Sequence, residues 1–515
     1  MTAVASIDAR TGKAGEEVGS ETSPADIAQI TAGAAAAAPW LAAQGRSGRA
    51  RLLNALADAL EAGRPEIVET ADRETALGTA RLNGELTRTC FQLRFMGEVA
   101  QEGSYLAASI EHAGPTGMGP RPDLRLINIP IGPVAVFGAS NFPLAFSVPG
   151  GDTASALAAG CPVIVKGHTS HARTSVLVAD IFRTTLTELD APEGVFALVF
   201  GRDAGTALVR DPRVAAVGFT GSVAGGRALF DAASSRPEPI PFYGELGSVN
   251  PLVVTAAAAA ARAEEIGAGI AGSMTAGTGQ FCTKPGLFLL PSSASGDRVA
   301  EGVVSALEQV PPGYLLNEGI LAAFRRGSSE AAGLPAVKVL FRRQETDSSR
   351  PTVGPNIGRQ VEPVLIEVSA ADLAAHAEVL TEECFGPFGI VIRYGSADEL
   401  NQVLAAFPPA LTGTLHTSGA EDPELPEAVR ALEQRSGRIV FNGYPTGVAV
   451  SWSMHHGGQY PAATTAATSV GAGSIQRWLR PLSFQDAPAE VLPPELRDET
   501  VPGLPRRIDG KLQIG

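Results

Sequence analysis

Between residues 133 and 234 short apolar runs alternate with helical stretches, and this rhythm restricts the chain more than any other feature. Residues 133–138, 162–166, 195–200 and 214–219 are apolar with little polar alternation, as strands buried on both faces must be. Residues 152–159, 171–188, 203–209 and 222–234 lie between or after them and pattern as helices. Strands of this kind separated by helices call for a parallel sheet covered on both sides. Parallel sheets take ligands beyond the carboxyl ends of their strands. Four stretches therefore belong around one crevice: Gly138-Ala139-Ser140-Asn141, Lys166-Gly167-His168-Thr169, Gly201-Arg202 and Thr220-Gly221-Ser222.

The flanks complete a two-domain plan. Ser23 is a good N-cap, Pro24 suits the first helical position and Asp26 the positive end of the helix dipole. Further helices follow at 47–62, 64–77 and 81–108, then a loop at 114–122 and a strand at 124–129. A second α/β unit runs from about 251 to 441, with a helix at 256–271 and strands at 287–290, 337–341, 363–368 and 388–394. Residues 442–475 are rich in glycine and aromatics, and the tail from 485 carries five prolines that place it on the surface. The expected boundaries are 1–113 with 133–248, and 249–441. Residues 114–132 and 471–515 are expected to form an oligomerisation hairpin and tail, and 442–470 the wall of a substrate tunnel.

Composition excludes several classes. A chain of 515 residues exceeds the usual reach of one core. A net charge of −14 with no Lys/Arg block argues against a nucleic-acid partner. Cys90, Cys161, Cys282 and Cys384 form no C-x-x-C pair, so no metal site is expected. So few thiols in so long a chain fit a reducing compartment, and with no basic-then-apolar leader the expectation is cytoplasmic. The longest uncharged run holds Pro130, Pro133, Pro143 and Pro149, which a membrane-spanning helix does not carry.

Four short segments carry matched chemistry. Gly279-Gln280-Phe281-Cys282-Thr283-Lys284 presents a thiol among small residues, after a glycine-rich approach. Tyr243-Gly244-Glu245-Leu246-Gly247 sets one carboxylate between glycines, and Ser140-Asn141-Phe142-Pro143 puts a side-chain amide just past a strand. Glu382-Glu383-Cys384-Phe385-Gly386-Pro387 gives acids and an aromatic before a turn. Each is commonplace alone. In this order, with Lys166 and Gly221-Ser222 between, they resemble the aldehyde dehydrogenase superfamily over nearly the whole chain.

The resemblance implies an α/β fold: a Rossmann-type parallel sheet for the cofactor, a second α/β catalytic domain and a small oligomerisation hairpin. It implies Cys282 as nucleophile, Asn141 with the Cys282 backbone N–H as oxyanion donors, and Glu245 as the base that activates water. Lys166 would meet the adenosine ribose, and Gly221 and Ser222 the pyrophosphate at a helix N-terminus. Gly226 would let that helix pack closely, while Glu383 and Phe385 would hold the nicotinamide ribose. Assembly as a homodimer or homotetramer through an edge strand is implied, with the 124–129 hairpin and the C-terminal segment as candidates.

One departure bears on the cofactor. Many NAD-using relatives carry Glu three residues after the lysine, where this chain has Thr169. A carboxylate there repels a 2′-phosphate and a hydroxyl donates to it. Arg202 adds a positive partner, so NADP is expected over NAD. Tyr444-Pro445-Thr446-Gly447 and the stretch from Ser451 to Pro461 resemble the branch of the family that oxidises α-ketoglutarate semialdehyde or long-chain fatty aldehydes. Phe142, Phe146, Phe281 and Tyr444 are expected to line an apolar tunnel for either aldehyde. His455-His456 reads as a structural loop, because adjacent side chains diverge and no suitably spaced acid is nearby. An alternative from another class is a cofactor-independent cysteine hydrolase, which leaves the βα series unexplained.

Overall fold

Ser23 caps α1 (Pro24–Ala43) through a capping box with Asp26, as the sequence requires. The structure is a computed structural model that describes residues 2–343 and 359–514. Helices α2 (Gly45–Ala62), α3 (Arg64–Thr75) and α4 (Thr79–Glu102) follow, and Leu52, Leu53, Leu56 and Leu60 bury one face of α2. An N-terminal hairpin, Ala3–Ile7 with Ala14–Ser20, was not legible in a stretch so poor in apolar residues.

The alternating rhythm folds as expected. Strands β1 (Val134–Phe137), β2 (Val163–Lys166), β3 (Phe196–Val199), β4 (Ala216–Thr220) and β5 (Phe242–Glu245) form a parallel sheet in the order β5-β4-β1-β2-β3. Val134 and Val136 face one core while Ala135 and Phe137 face another. Both faces are thus buried, which is why the strands lack polar alternation. Helices α5 (Gly151–Ala159), α6 (Ala172–Glu188), α7 (Arg202–Arg210) and α8 (Val223–Ser234) make the connections.

The second sheet holds β6 (Asn250–Val254), β7 (Pro285–Pro291), β8 (Lys338–Arg342), β9 (Val364–Ser369), β10 (Phe388–Tyr394), β11 (Ala410–His416) and β12 (Ser436–Phe441). Their order is β8-β9-β10-β7-β6-β11-β12, parallel except for the β8/β9 pair. Leu287 and Leu289 face one core, Phe288 and Leu290 the other. Helix α9 (Ala256–Thr275) links β6 to the cysteine loop.

A third sheet joins Leu124–Pro130 to Leu479–Gln485, far along the chain, on one side and to Ser109–Glu111 on the other. The local hairpin lies at 114–121, where a loop was expected. The proline-rich tail is built in: Leu492, Leu496 and Leu504 are buried, and Pro505–Ile508 and Lys511–Ile514 complete the sheet. Proline excludes α-helix from this tail, which makes only single 3-10 turns, but leaves its leucines free to pack.

Candidate active site

The thiol sits where the two large sheets meet. After α9 the chain turns through three consecutive left-handed residues, Gly277, Thr278 and Gly279, at φ of 56°, 58° and 68°. A Cβ at Gly279 would strike the carbonyl of Gly386, so only glycine fits. The Gln280 side chain pins the loop, donating to the carbonyls of Gly277 and Tyr314 at 3.1 Å each and accepting from Leu316 N–H at 3.0 Å. Asn250 Nδ2 donates to the carbonyls of Cys282 and Lys284, both at 2.9 Å. Asn141, buried beyond β1, donates to the carbonyl of Gln280 at 2.9 Å and so stands against the same loop.

Glu245 closes β5 and is buried. The segment after β12 returns to it as a strap. Leu246 N–H donates to Ala462 O at 2.8 Å, and Gly244 N–H to Thr464 Oγ1 at 2.8 Å. This return brings His456 and Ser469 to the carboxylate. His456 Nε2 lies 2.9 Å from Glu245 Oε1, and Ser469 Oγ donates to Oε2 at 2.8 Å. The same His456 Nε2 lies 3.7 Å from Cys282 Sγ. His456 is therefore part of the site, which corrects its reading as a loop residue. The acid it meets is distant only in sequence. His455 diverges from it and stays partly exposed. Donor atoms of Cys282, Glu245 and His456 all lie within 4.8 Å of one another.

Burial and the neighbouring Glu245 carboxylate hold the Cys282 thiol well above its ordinary pKa, so the resting group is the thiol. Burial also acts to raise Glu245, but the His456 charge and hydrogen bonds from His456, Ser469 and Cys282 outweigh it and bring the carboxyl to about 2. Burial raises Glu383 to about 7, against the pull of Lys284 and the Ser248 N–H.

A cavity of 970 Å³ opens from Cys282, Glu245 and Asn141 across the carboxyl ends of β1, β2 and β4. Lys166, Arg202, Gly221, Ser222, Glu383 and Phe385 line it, together with His168 and Arg210, which the sequence did not single out. Ser222 caps α8 by accepting from Gly225 N–H at 3.2 Å. Gly226 is buried against Leu246, where a Cβ would clash, so α8 lies close to the sheet. An elongated cleft with a helix N-terminus, two arginines, a lysine and an acid beside an aromatic fits a dinucleotide. Thr169 is exposed on the short turn after β2, and His168 rather than Thr169 caps that turn.

Phe142, Phe146 and Phe281 form one cluster, with ring centroids 5.2 and 5.1 Å apart across Phe142. Phe146 lies 6.2 Å from the His456 ring. Tyr444 is not with them. Its hydroxyl donates to Ile266 O at 3.1 Å and its ring packs on His416, against α9.

A thiol, a buried carboxylate and an amide meet at the mouth of a cleft of dinucleotide size. The aldehyde dehydrogenase family model matches residues 2–463, and the chain belongs to that family. It is an aldehyde dehydrogenase, an oxidoreductase that uses a nicotinamide dinucleotide. The chain is 44% identical to alpha-ketoglutaric semialdehyde dehydrogenase 2 of Azospirillum brasilense, over 92% of this chain and 89% of that protein. It is 38% identical to alpha-ketoglutaric semialdehyde dehydrogenase of Acinetobacter baylyi, over 90% and 87%. Aldehyde dehydrogenase 21 of Physcomitrella patens, solved with the product succinate, superposes with a TM-score of 0.78 at 21% identity over 93% of this chain and 94% of that one. Among the described residues no helix is long and apolar enough to cross a membrane.

Proposed function

We propose that this enzyme oxidises α-ketoglutarate semialdehyde to α-ketoglutarate, with NADP preferred over NAD. The observation that carries the substrate is the 44% identity to a semialdehyde dehydrogenase across 92% of the chain. Lys166, Arg202 and Arg210 in the cleft, with no acid three residues after the lysine, support the phosphorylated cofactor.

The residues divide the work. Cys282 attacks the aldehyde carbon as thiolate, and its proton passes to the Glu245–His456 pair. The Asn141 amide and the Cys282 backbone N–H stabilise the oxyanion. A nicotinamide dinucleotide held by Lys166, Ser222, Glu383 and Phe385 would supply the hydride acceptor, and Cys282 would then carry the acyl group as a thioester. Glu245, held by His456 and Ser469, takes a proton from the water that cleaves it. Ser469 and His456 fix the carboxylate in place while it gains and loses that proton.

The hydrolase alternative meets an obstacle in the geometry. A base that relays protons in a cysteine hydrolase turns one ring nitrogen to the thiol and the other to its acid. In His456 the same Nε2 faces both, and the buried Nδ1 has no partner.

The third sheet supports assembly as a homodimer or homotetramer. Its terminal strand exposes Leu512 and Ile514 at 64% and 75%, an apolar edge suited to a second copy. Four free cysteines fit a cytoplasmic setting.

Steady-state reduction of NADP and NAD, with α-ketoglutarate semialdehyde beside a long-chain aldehyde, tests the reading. A higher kcat/KM for the keto-acid aldehyde with NADP is expected. A preference for the long chain moves the enzyme to fatty aldehydes and gives the Phe142–Phe146–Phe281 cluster that role.

A further inference from the structure

Two arginines of α4 stand over the aromatic cluster beside Cys282, and a third, from β12, reaches the loop that one of them also touches. Arg81 and Arg88 stand seven residues apart on α4, two turns, and so share one face. The Arg81 guanidinium lies 5.0 Å from the Phe142 ring centroid and 4.7 Å from that of Phe281. Arg88 lies 5.0 Å from Phe146, the ring that touches His456. Arg438 comes from β12 and holds the start of the strap, donating to Pro445 O at 2.7 Å and Gly447 O at 2.8 Å.

All three are incompletely paired. Arg81 Nη1, Arg88 Nη2 and Arg438 Nε are buried donors without a hydrogen-bond partner. Only two other arginines among the described residues, Arg49 and Arg393, carry such an atom. Buried donors are rarely left unpaired, and several at one place call for an acceptor that arrives from outside. Arg81 is the best satisfied, since its Nη2 donates to Asn141 O at 2.7 Å. Arg88 is held loosely, by Gln92 Oε1 at 3.2 Å and Val448 O at 3.4 Å.

The acid within this group balances only part of the charge. Glu85 lies between the two helical arginines and its field acts on both; its Oε1 is taken by the N–H groups of Leu144 and Ala145 at 2.9 Å each, and its buried Oε2 has no hydrogen-bond partner. Burial raises its pKa, which weakens it further as a counter-ion. Positive charge therefore exceeds negative on the aromatic side of the nucleophile. Arg88 donates to Val448 O and Arg438 to the adjoining Gly447 O, and Arg88 lies over the Phe146 ring, whose centroid is 6.2 Å from that of His456, so the two guanidinium groups meet at one loop beside the reacting centre.

We propose that Arg88 and Arg438, with Arg81 behind them, bind the carboxylate of the substrate and select aldehydes that carry a 2-oxo-acid end. The proposal rests on the semialdehyde reading and names the part of the site that reads the acid. A carboxylate offers about four lone-pair sites, enough for several N–H donors at once. The Phe142 and Phe146 faces cover the intervening methylenes, and a five-carbon chain spans about 5 Å from aldehyde to carboxyl carbon. A long-chain fatty aldehyde leaves every one of these donors unpaired.

The test compares α-ketoglutarate semialdehyde with pentanal, the uncharged aldehyde of equal length, in wild type, R88Q, R88K and R438Q. Wild type is expected to favour the keto-acid aldehyde. R88Q should raise its KM about 100-fold, as losing a buried charge-assisted contact does, and leave kcat/KM for pentanal within about threefold. R88K should fall between the two, and R438Q should repeat the effect. Glutarate should compete with pentanal in wild type and lose that competition in R88Q. If R88Q does not fold, R438Q and the glutarate competition in wild type still decide. Retained selectivity in the folded variants, a parallel fall for both aldehydes, or no competition by glutarate overturns the proposal. A wild type that prefers pentanal overturns the substrate reading itself, a different outcome from selectivity that survives in R88Q and R438Q.

Discussion

Glu245 Oε1 and His456 Nε2 are 2.9 Å apart although 211 positions separate them in the chain. The contact exists because the segment after β12 folds back along β5, bridging Glu245 to Ala463. The carboxylate is thereby fixed from two sides, by His456 on one oxygen and Ser469 on the other.

Replacing Glu245 with Gln should separate the two halves of the reaction. The first half keeps Cys282, Asn141 and His456, which still receives the thiol proton, so one equivalent of reduced cofactor per site appears in a burst. Steady-state turnover should fall at least about 100-fold, in keeping with the loss of a general base. Unchanged turnover in rapid-mixing absorbance at 340 nm removes Glu245 from the hydrolytic step.

The same variant should make the thiol more reactive. Burial first, and then the Glu245 charge, keeps Cys282 protonated. In the enzyme without cofactor, alkylation by iodoacetamide should therefore rise with pH through pH 9 without levelling. E245Q removes a like charge and should alkylate faster at pH 8. Slower alkylation in E245Q contradicts this account of the field.

Cofactor affinity should depend on pH through Glu383. Its carboxyl is raised by burial to about 7, so it is neutral below that pH and a strong acceptor for ribose hydroxyls above it. Fluorescence titration should show tighter binding as pH rises from 6 to 8, and a flat profile in E383Q. Stability runs the other way. The native state holds a proton that the unfolded chain releases in the ordinary carboxylate range, so this contribution to stability falls as pH rises between that range and 7.

Zinc should poison the enzyme. A tetrahedral zinc ion with ordinary bond lengths spaces sulfur and nitrogen ligands about 3.5 Å apart, close to the 3.7 Å between Cys282 Sγ and His456 Nε2. Micromolar zinc should inhibit, EDTA should restore activity, and C282S should fail to compete with a coloured chelator for one equivalent of metal.

Gly279→Ala should destabilise by at least about 2 kcal/mol, since φ is 68° and the added carbon meets the Gly386 carbonyl. Thermal unfolding checks this, and activity should fall with it as the Cys282 loop is displaced.

How much of this was legible follows from how local each signal is. Strands buried on both faces announce themselves by their own residues, so the first sheet and most of the second could be read. Cys282, Glu245 and Asn141 each sit in a short contiguous motif. His456 does not: its neighbours say only that adjacent side chains diverge, and its acid lies on another sheet. The available clue was Gly437 in β12, where a Cβ would meet the Gly457 carbonyl, so that only glycine lets the strap lie there. Tyr444 was read by residue type, and the helix it meets, α9, belongs to a core no local pattern reveals. Leu492, Leu496 and Leu504 were hidden by the prolines around them.

The strap that carries His456 and Ser469 also sets an order of events for a chain leaving the ribosome. The strands and the α8 N-terminus of the nucleotide cleft, and Glu245 itself, are complete in sequence by residue 245, with Glu383 and Phe385 still to come, but Cys282 gains its imidazole and Glu245 its second anchor only when residues 456–469 dock. Contacts so distant in sequence form late. A partly synthesised enzyme thus holds the first part of its nucleotide grip before its reactive centre, and aldehydes met during synthesis find no assembled nucleophile to trap them.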